Sequence, residues 1–227
     1  AWALEGVAVL PDAWDADPWL LNVNNGTVDL RTGELRPHDR ADMLTKLAPV
    51  DYDTSADAPT WRAHLERFLP EADVRRQVQR TLGVALVGDV LEEALDIWHG
   101  TGANGKTTTE RAIESILGEY AQNAAPNLLI ASRYDNHPTE LADLRGSRLV
   151  FDAEIGDART LDEAKVKKLT GGEPITARLM RQDFFRFART FSLVMLVNHL
   201  PNISGADDGI WRRIRLIPWR VRIPEAE

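Results

Sequence analysis

The chain has 227 residues, 44% of them hydrophobic and 27% charged, an ordinary globular composition at a length that can bury a real core. It holds no cysteine, which excludes a disulfide framework and a thiolate zinc site and suits a reducing compartment. It also holds no apolar run of about 18 residues, which excludes a membrane-spanning helix.

The start, AWALEG, lacks the basic and apolar stretches of a signal peptide and lacks a methionine, so a piece of a longer chain is expected. LNVNNGTVDLRTGELRPH follows, with Leu21, Val23, Val28 and Leu30 alternating around Asn25-Gly26. That dipeptide between two strand-like runs predicts a two-residue hairpin turn, and Arg31 to Glu34 predicts a second turn. Pro59 opens a helical stretch in which Trp61, Leu65, Phe68 and Leu69, then Val74, Val78, Leu82 and Leu86, recur at helical spacing. A boundary is expected between Gly88 and Leu95, dividing the chain into a hairpin segment (1–57), a helical region (58–91) and a larger unit (92–227).

From there the pattern alternates. ALDIWHG reads as a buried strand and Thr107 to Leu117 as a helix with Ile113, Ile116 and Leu117 on one side. SRLVFDAE and TFSLVMLVNH read as two further strands. Strands alternating with helices predict a three-layer α/β unit.

Between the first strand and its helix lies GTGANGKTT, which fits G-x-x-x-x-G-K-[ST]. Gly100, Thr101, Gly102, Ala103, Asn104 and Gly105 would turn backbone N–H groups around a phosphate. Lys106 would meet the β- and γ-phosphates, the Thr107 hydroxyl could ligate Mg²⁺, and Thr108 continues the helix whose N-terminal partial charge faces the anion. The flanking strand and helix supply the context such a motif needs, so the loop is assigned to a nucleotide.

SRLVFDAE ends in Asp152 and Glu154, two residues apart and so on one face, where a strand can offer one carboxylate to Mg²⁺ and another to an attacking water. Asn198 ends the third strand, as a turn former or as a neutral hydrogen-bonding group beside a γ-phosphate. Arg212 and Arg213 adjoin with no acid beside them in sequence; they read as a basic surface strand or as a source of transition-state charge.

Charge is polarised. From Lys165 to Arg222, twelve Lys or Arg stand against four Asp or Glu, a surplus of +8 that leaves −16 for the rest of a chain whose net charge is −8. One basic segment on an acidic body suits a local polyanion site, although a solvated charged face has the same composition.

In order, LNVNNGTVDLRTGELRPH, GTGANGKTTT, HPTELADLRGSRLVFDAE, KKLTGGEPITAR, LVNHLPNI and IWRRIRLIP resemble the superfamily 3 helicases of the phage and plasmid primase-helicase type, the branch that includes the poxvirus primase-helicase. The resemblance spans about Leu21 to Pro218. It implies an AAA+-like P-loop ATPase core that uses ATP and Mg²⁺, assembles as a homo-oligomeric, usually hexameric ring and moves along single-stranded DNA. It implies an intracellular, cytoplasmic setting in a bacterial or phage-infected cell, no membrane partner, and a primase domain or other replication proteins as associates.

By the same resemblance Glu154 polarises water, Thr107, Asp152 and Glu154 hold the metal, and Asn198 is the sensor. The family pattern does not require an acid at 152, which would leave the metal mainly to Thr107 and Glu154. Arg212 is the finger acting on a neighbour's nucleotide, with Arg213 as the alternative. Two strands, ITARLM and FFRFAR, would form a hairpin that projects Arg181 into the ring's channel, with Lys167, Lys168 and Arg178 near it to meet phosphates. A nucleotide-switched DNA-binding scaffold that does not translocate is the competing reading; a small-molecule P-loop kinase would leave the basic segment without a purpose.

Overall fold

A computed structural model describes residues 13–132, 138–153, 159–205 and 207–224. Glu154, expected as the water-polarising carboxylate, lies outside them.

Three short strands, β1 (Leu20–Val23), β2 (Gly26–Asp29) and β3 (Glu34–Arg36), form an antiparallel sheet in that order. The first hairpin differs from expectation by one residue. Val23 pairs with Gly26, so the turn is Asn24-Asn25, and neither asparagine is at positive φ. Gly26 serves the sheet instead: a Cβ there would stand 2.3 Å from the Arg36 carbonyl oxygen of β3. Asn25 reaches across to Tyr52, accepting from its N–H at 2.9 Å and donating to its carbonyl at 3.0 Å. The second turn forms as expected, with Gly33 N–H donating to Asp29 O at 2.7 Å.

Pro59 occupies the first turn of α1 (Pro59–Phe68), where its missing N–H costs nothing. Helix α2 (Ala72–Ala85) follows, burying Val78, Thr81 and Ala85.

The remaining elements are β4 (Leu95–His99), α3 (Lys106–Leu117), β5 (Ala121–Asn123), α4 (Pro138–Ala142), β6 (Leu149–Ala153), α5 (Glu163–Thr170), β7 (Ile175–Arg178), β8 (Phe184–Phe187), β9 (Ser192–Val197), α6 (Asp208–Trp211) and β10 (Ile214–Pro218). Five of these strands make one parallel sheet in the order β10-β4-β9-β6-β5. The three predicted strands are its centre. β5 and β10, the edges, are too short or too charged to stand out by pattern, since Arg215 interrupts the apolar run of β10.

Alternate side chains of the central strands feed two cores. Trp98, Phe151, Val194 and Leu196 face α1, α2, α3 and the N-terminal sheet. Ile97, Val150, Leu193, Met195 and Val197 face α5, α6, β7 and β8. Parallel strands buried on both faces read as continuous apolar runs, which is why the sequence marks them so strongly. Ile113 and Leu117 of α3 are buried as expected, whereas Ile116 is 47% exposed and lines a shallow surface groove with Trp61, Leu82 and Leu86.

Candidate nucleotide site

The loop between β4 and α3 is built from left-handed backbone. Gly102, Ala103 and Gly105 have φ of 95°, 48° and 83°. The loop is fastened at its start by Gly100 N–H to Val197 O at 3.2 Å and closed by Gly102 N–H to Gly100 O at 2.9 Å. The far end of the chain holds it from behind. Asn104, buried, donates to Trp219 O at 3.2 Å; Trp219 N–H donates to His99 O, and Ile223 N–H to Ala103 O, both at 2.7 Å.

Lys106 begins α3 with only 5% of its surface exposed. Its ammonium donates to Gly100 O and, at 3.2 Å, to Oδ1 of Asn198. Burial brings its pKa down to about 8, because a charge without a counter-ion is disfavoured away from water. A phosphate would supply that counter-ion. Gly102 has open space around it, and Thr107 and Thr108 are exposed on the first turn of the helix. The loop therefore has the donors, the cation and the room that a phosphate needs.

Helix α1 underlies this loop, which no sequence signal announced. A Cβ on Gly105 would meet the Phe68 ring at 2.7 Å. Nε2 of His64 lies 2.8 Å from Oγ1 of Thr109, and that hydroxyl donates to Gly105 O at 2.9 Å. A hydroxyl has one proton to give, so the imidazole N–H donates to Thr109. Burial holds His64 below the ordinary histidine range, which keeps it neutral. His99, at the end of β4, is also lowered by burial and then by Lys106, and it hydrogen-bonds the backbone of Asn198.

The acids behave differently from expectation. Asp152 does not join the phosphate loop. It is fully buried and accepts from Leu128 N–H at 3.3 Å and Leu129 N–H at 3.0 Å, on the face of the sheet opposite α3. Burial pushes its pKa up to about 6 despite those two donors and Lys165. The metal-ligand reading of Asp152 is thereby corrected: its oxygens fasten a buried turn. Among the described residues Thr107 is the expected metal ligand that remains available, and no group of three or more His, Asp or Glu is placed to hold an ion.

The adjacent arginines do have an acid, supplied from 119 and 120 residues away. Oε2 of Glu93 lies 3.3 Å from Arg212 and 2.7 Å from Arg213. Arg213 is buried and also donates to Thr170 Oγ1 at 3.1 Å and Gly209 O at 2.6 Å, so its guanidinium is committed to joining α5, α6 and the segment before β4. That corrects the reading of Arg213 as an alternative finger. Arg212 keeps 65% of its side chain exposed.

In the basic segment, β7 and β8 pair as the expected antiparallel hairpin, and Arg181 sits at its tip with φ 59° beside Met180, which is 77% exposed. Arg178, the last residue of β7, pairs with Phe184 beside the hairpin's loop, and its guanidinium lies over the Phe184 ring at 5.0 Å. Lys167 ion-pairs with Asp207 at 2.6 Å, beside α6, instead of standing free at the hairpin; Lys168 is exposed on α5.

Two family models match the chain: one described as D5 N terminal like over residues 2–70, and one described as a family of unknown function (DUF5906) over residues 98–213. Similar proteins include the "Putative helicase L207/L206" of Acanthamoeba polyphaga mimivirus (30% identical, covering 90% of this chain and 22% of the relative). The "Putative helicase 121R" of Invertebrate iridescent virus 3 is 30% identical over 95% of this chain and 25% of its own length. The "Putative primase C962R" of African swine fever virus (isolate Tick/Malawi/Lil 20-1/1983) is 27% identical over 88% and 22%. The chain thus spans about a quarter of the length of these relatives. Among solved structures, the apo C-terminal region of NrS-1 (305-718) superposes with a TM-score of 0.56 at 14% identity, over 74% of this chain and 39% of that one, a likeness of fold.

Proposed function

We propose that this chain, which belongs to the DUF5906 family and has a D5-like N-terminal segment and helicase- and primase-named viral relatives, is the ATP-hydrolysing core of a replicative DNA helicase of superfamily 3. The observation that carries this reading is the contact between Lys106 and Asn198. It joins a phosphate loop to the end of the neighbouring parallel strand, so a γ-phosphate entering the loop would be reported to β9. The sheet order β10-β4-β9-β6-β5 supports an AAA+-type core, with residues 58–91 as a collar and 1–57 as a hairpin-bearing N-terminal segment.

In this reading Lys106 and the loop N–H groups bind the phosphates of ATP, and Asn198 orients the attacking water. Glu154 polarises that water. Thr107 and Glu154 would hold Mg²⁺, which when bound would supply charge neutralisation for the transferred phosphoryl group. Arg212, exposed beside Glu93, acts on the nucleotide of an adjacent copy in a ring, usually a hexamer. The β7–β8 hairpin with Arg181 at its tip engages single-stranded DNA, with Lys168 and Arg178 adding charge. Phosphate contacts carry no base code and weaken with salt, as movement along any sequence requires.

The test measures ATP turnover and strand separation together. Turnover should rise on addition of single-stranded DNA and vanish in Lys106→Ala, and unwinding should require hydrolysis. Full unwinding with a non-hydrolysable analogue would overturn the motor and favour a nucleotide-switched scaffold.

A further inference from the structure

We propose that the cleft between α4 and the β7–β8 hairpin is a stacking site for an unpaired base of a DNA strand. The inference rests on the helicase reading and adds to it a contact with bases where only phosphate contacts were expected.

The cleft measures about 600 Å³ and is lined by Arg145, Leu179, Gln182, Asp183, Phe184 and Phe185, among others. Its wall pairs arginine with aromatic carbon once, and a second such pair, made by Arg178 from outside the lining, adjoins it. The Arg145 guanidinium lies 5.6 Å from the Phe185 ring centroid and that of Arg178 5.0 Å from Phe184. Nε of Arg178 is buried with no hydrogen-bond partner, an unmet donor beside the hairpin's loop. Phe184 is 60% exposed. A hairpin that touched only phosphates would need cations and small polar residues; an exposed phenylalanine there would cost solvation for no return.

Aromatic faces beside guanidinium groups are the chemistry that holds single-stranded nucleic acid, because every base offers a π-face and every nucleotide a phosphate. The amide of Gln182 can both donate to and accept from a base edge. Over α4, its exit and the hairpin, Arg145, Arg178, Arg181 and Arg186 stand against Glu140, Asp143 and Asp183, and two of the arginines, Arg178 and Arg181, lie at the loop end beside Phe184, where a phosphate next to a stacked base would fall.

The experiment compares the full chain's binding to oligothymidylate and to an abasic deoxyribose-phosphate strand of equal length, by fluorescence anisotropy with a non-hydrolysable ATP analogue present. Wild type should bind oligothymidylate about tenfold tighter than the abasic strand, the scale of one stacked base. Phe184→Ala should remove that preference while leaving abasic binding unchanged, which also shows that the variant is folded. Phe184→Trp should restore the preference, and Arg181→Ala should weaken both strands alike. Equal wild-type affinity for the two strands, or equal weakening of both by Phe184→Ala, overturns the stacking site and leaves the helicase reading intact. Failure to bind either strand overturns both.

Discussion

The ammonium of Lys106 stands 3.2 Å from Oδ1 of Asn198, linking residues 92 positions apart across the ends of two adjacent parallel strands. In the proposed site, the group that would meet the phosphates and the group that would sense them share one hydrogen bond. Lys106→Ala is expected to cut turnover on the order of 100-fold or more, and Asn198→Ala to lower kcat with a much smaller effect on KM. Steady-state kinetics checks this split; equal losses in kcat and in nucleotide affinity for Asn198→Ala would place it in ground-state binding.

Burial gives the same lysine a pH signature. Its pKa is brought to about 8 from an ordinary 10.5, and a bound phosphate would raise it again. Between those values the complex then holds more protons than the free protein, so nucleotide affinity should fall as pH rises above 8, by up to about tenfold per unit. Calorimetric titration at pH 7.5 and near 9.5, in buffers of different ionisation enthalpy, should show weaker binding and proton uptake at the higher pH. A constant Kd would remove the buried ammonium from the binding step.

Arg212 and Arg213 make opposite predictions although they are neighbours. Arg213→Ala severs a buried three-way attachment and should cost about 3 kcal/mol of stability. Arg212→Ala should change stability by no more than about 0.5 kcal/mol, yet abolish hydrolysis. Its effect should act in trans, so that mixing it with wild type lowers activity by more than dilution. Activity simply proportional to wild-type content would deny a shared site.

Asp152→Asn tests the corrected role of that carboxylate. With its folded pKa raised to about 6 from 3.8, the stability this group contributes is full below the lower value and is lost as pH rises through the upper one. The asparagine lacks this loss, so its destabilisation relative to wild type should shrink between pH 4.5 and pH 7, by about 2 kcal/mol. Denaturant unfolding at the two pH values measures it. The Mg²⁺ concentration for half-maximal turnover should stay unchanged; a marked increase would return Asp152 to the metal.

The floor beneath the loop offers a third pair of variants. Gly105→Ala would drive a Cβ into the Phe68 ring at φ 83°, and nucleotide binding should be lost. His64→Ala removes only the donor that steadies Thr109, and should raise the nucleotide Kd about 2- to 10-fold, with His64→Gln recovering part of it. An unchanged Kd in His64→Ala would mean that α1 supports the loop through Phe68 alone.

The phosphate loop, the three central strands and the β7–β8 hairpin were legible because their signals are local. A glycine-rich loop between a buried strand and a helix is read from neighbouring residues, and a strand buried on both faces is apolar throughout. The first hairpin was legible as a hairpin but misplaced by one residue, because Gly26 is needed for its approach to β3 and not for the turn itself.

The roles of the charged residues were not legible in this way. Asp152 has the same local setting whether it faces a metal or a buried turn, and the fold brought it Leu128 and Leu129. Arg213 lacks an acid along the chain, and the fold supplied Glu93 from 120 residues away. Phe68 read as part of an ordinary apolar helix face, and His64 carried no signal of its own, until α1 packed beneath Gly105. The sequence by itself determined where the glycine-rich loop with left-handed backbone would fall between strand and helix, since that depends on conformations each residue permits. Tertiary structure decided which side chains remain free to act, since a charge or hydrogen bond is spent on whatever partner packing delivers.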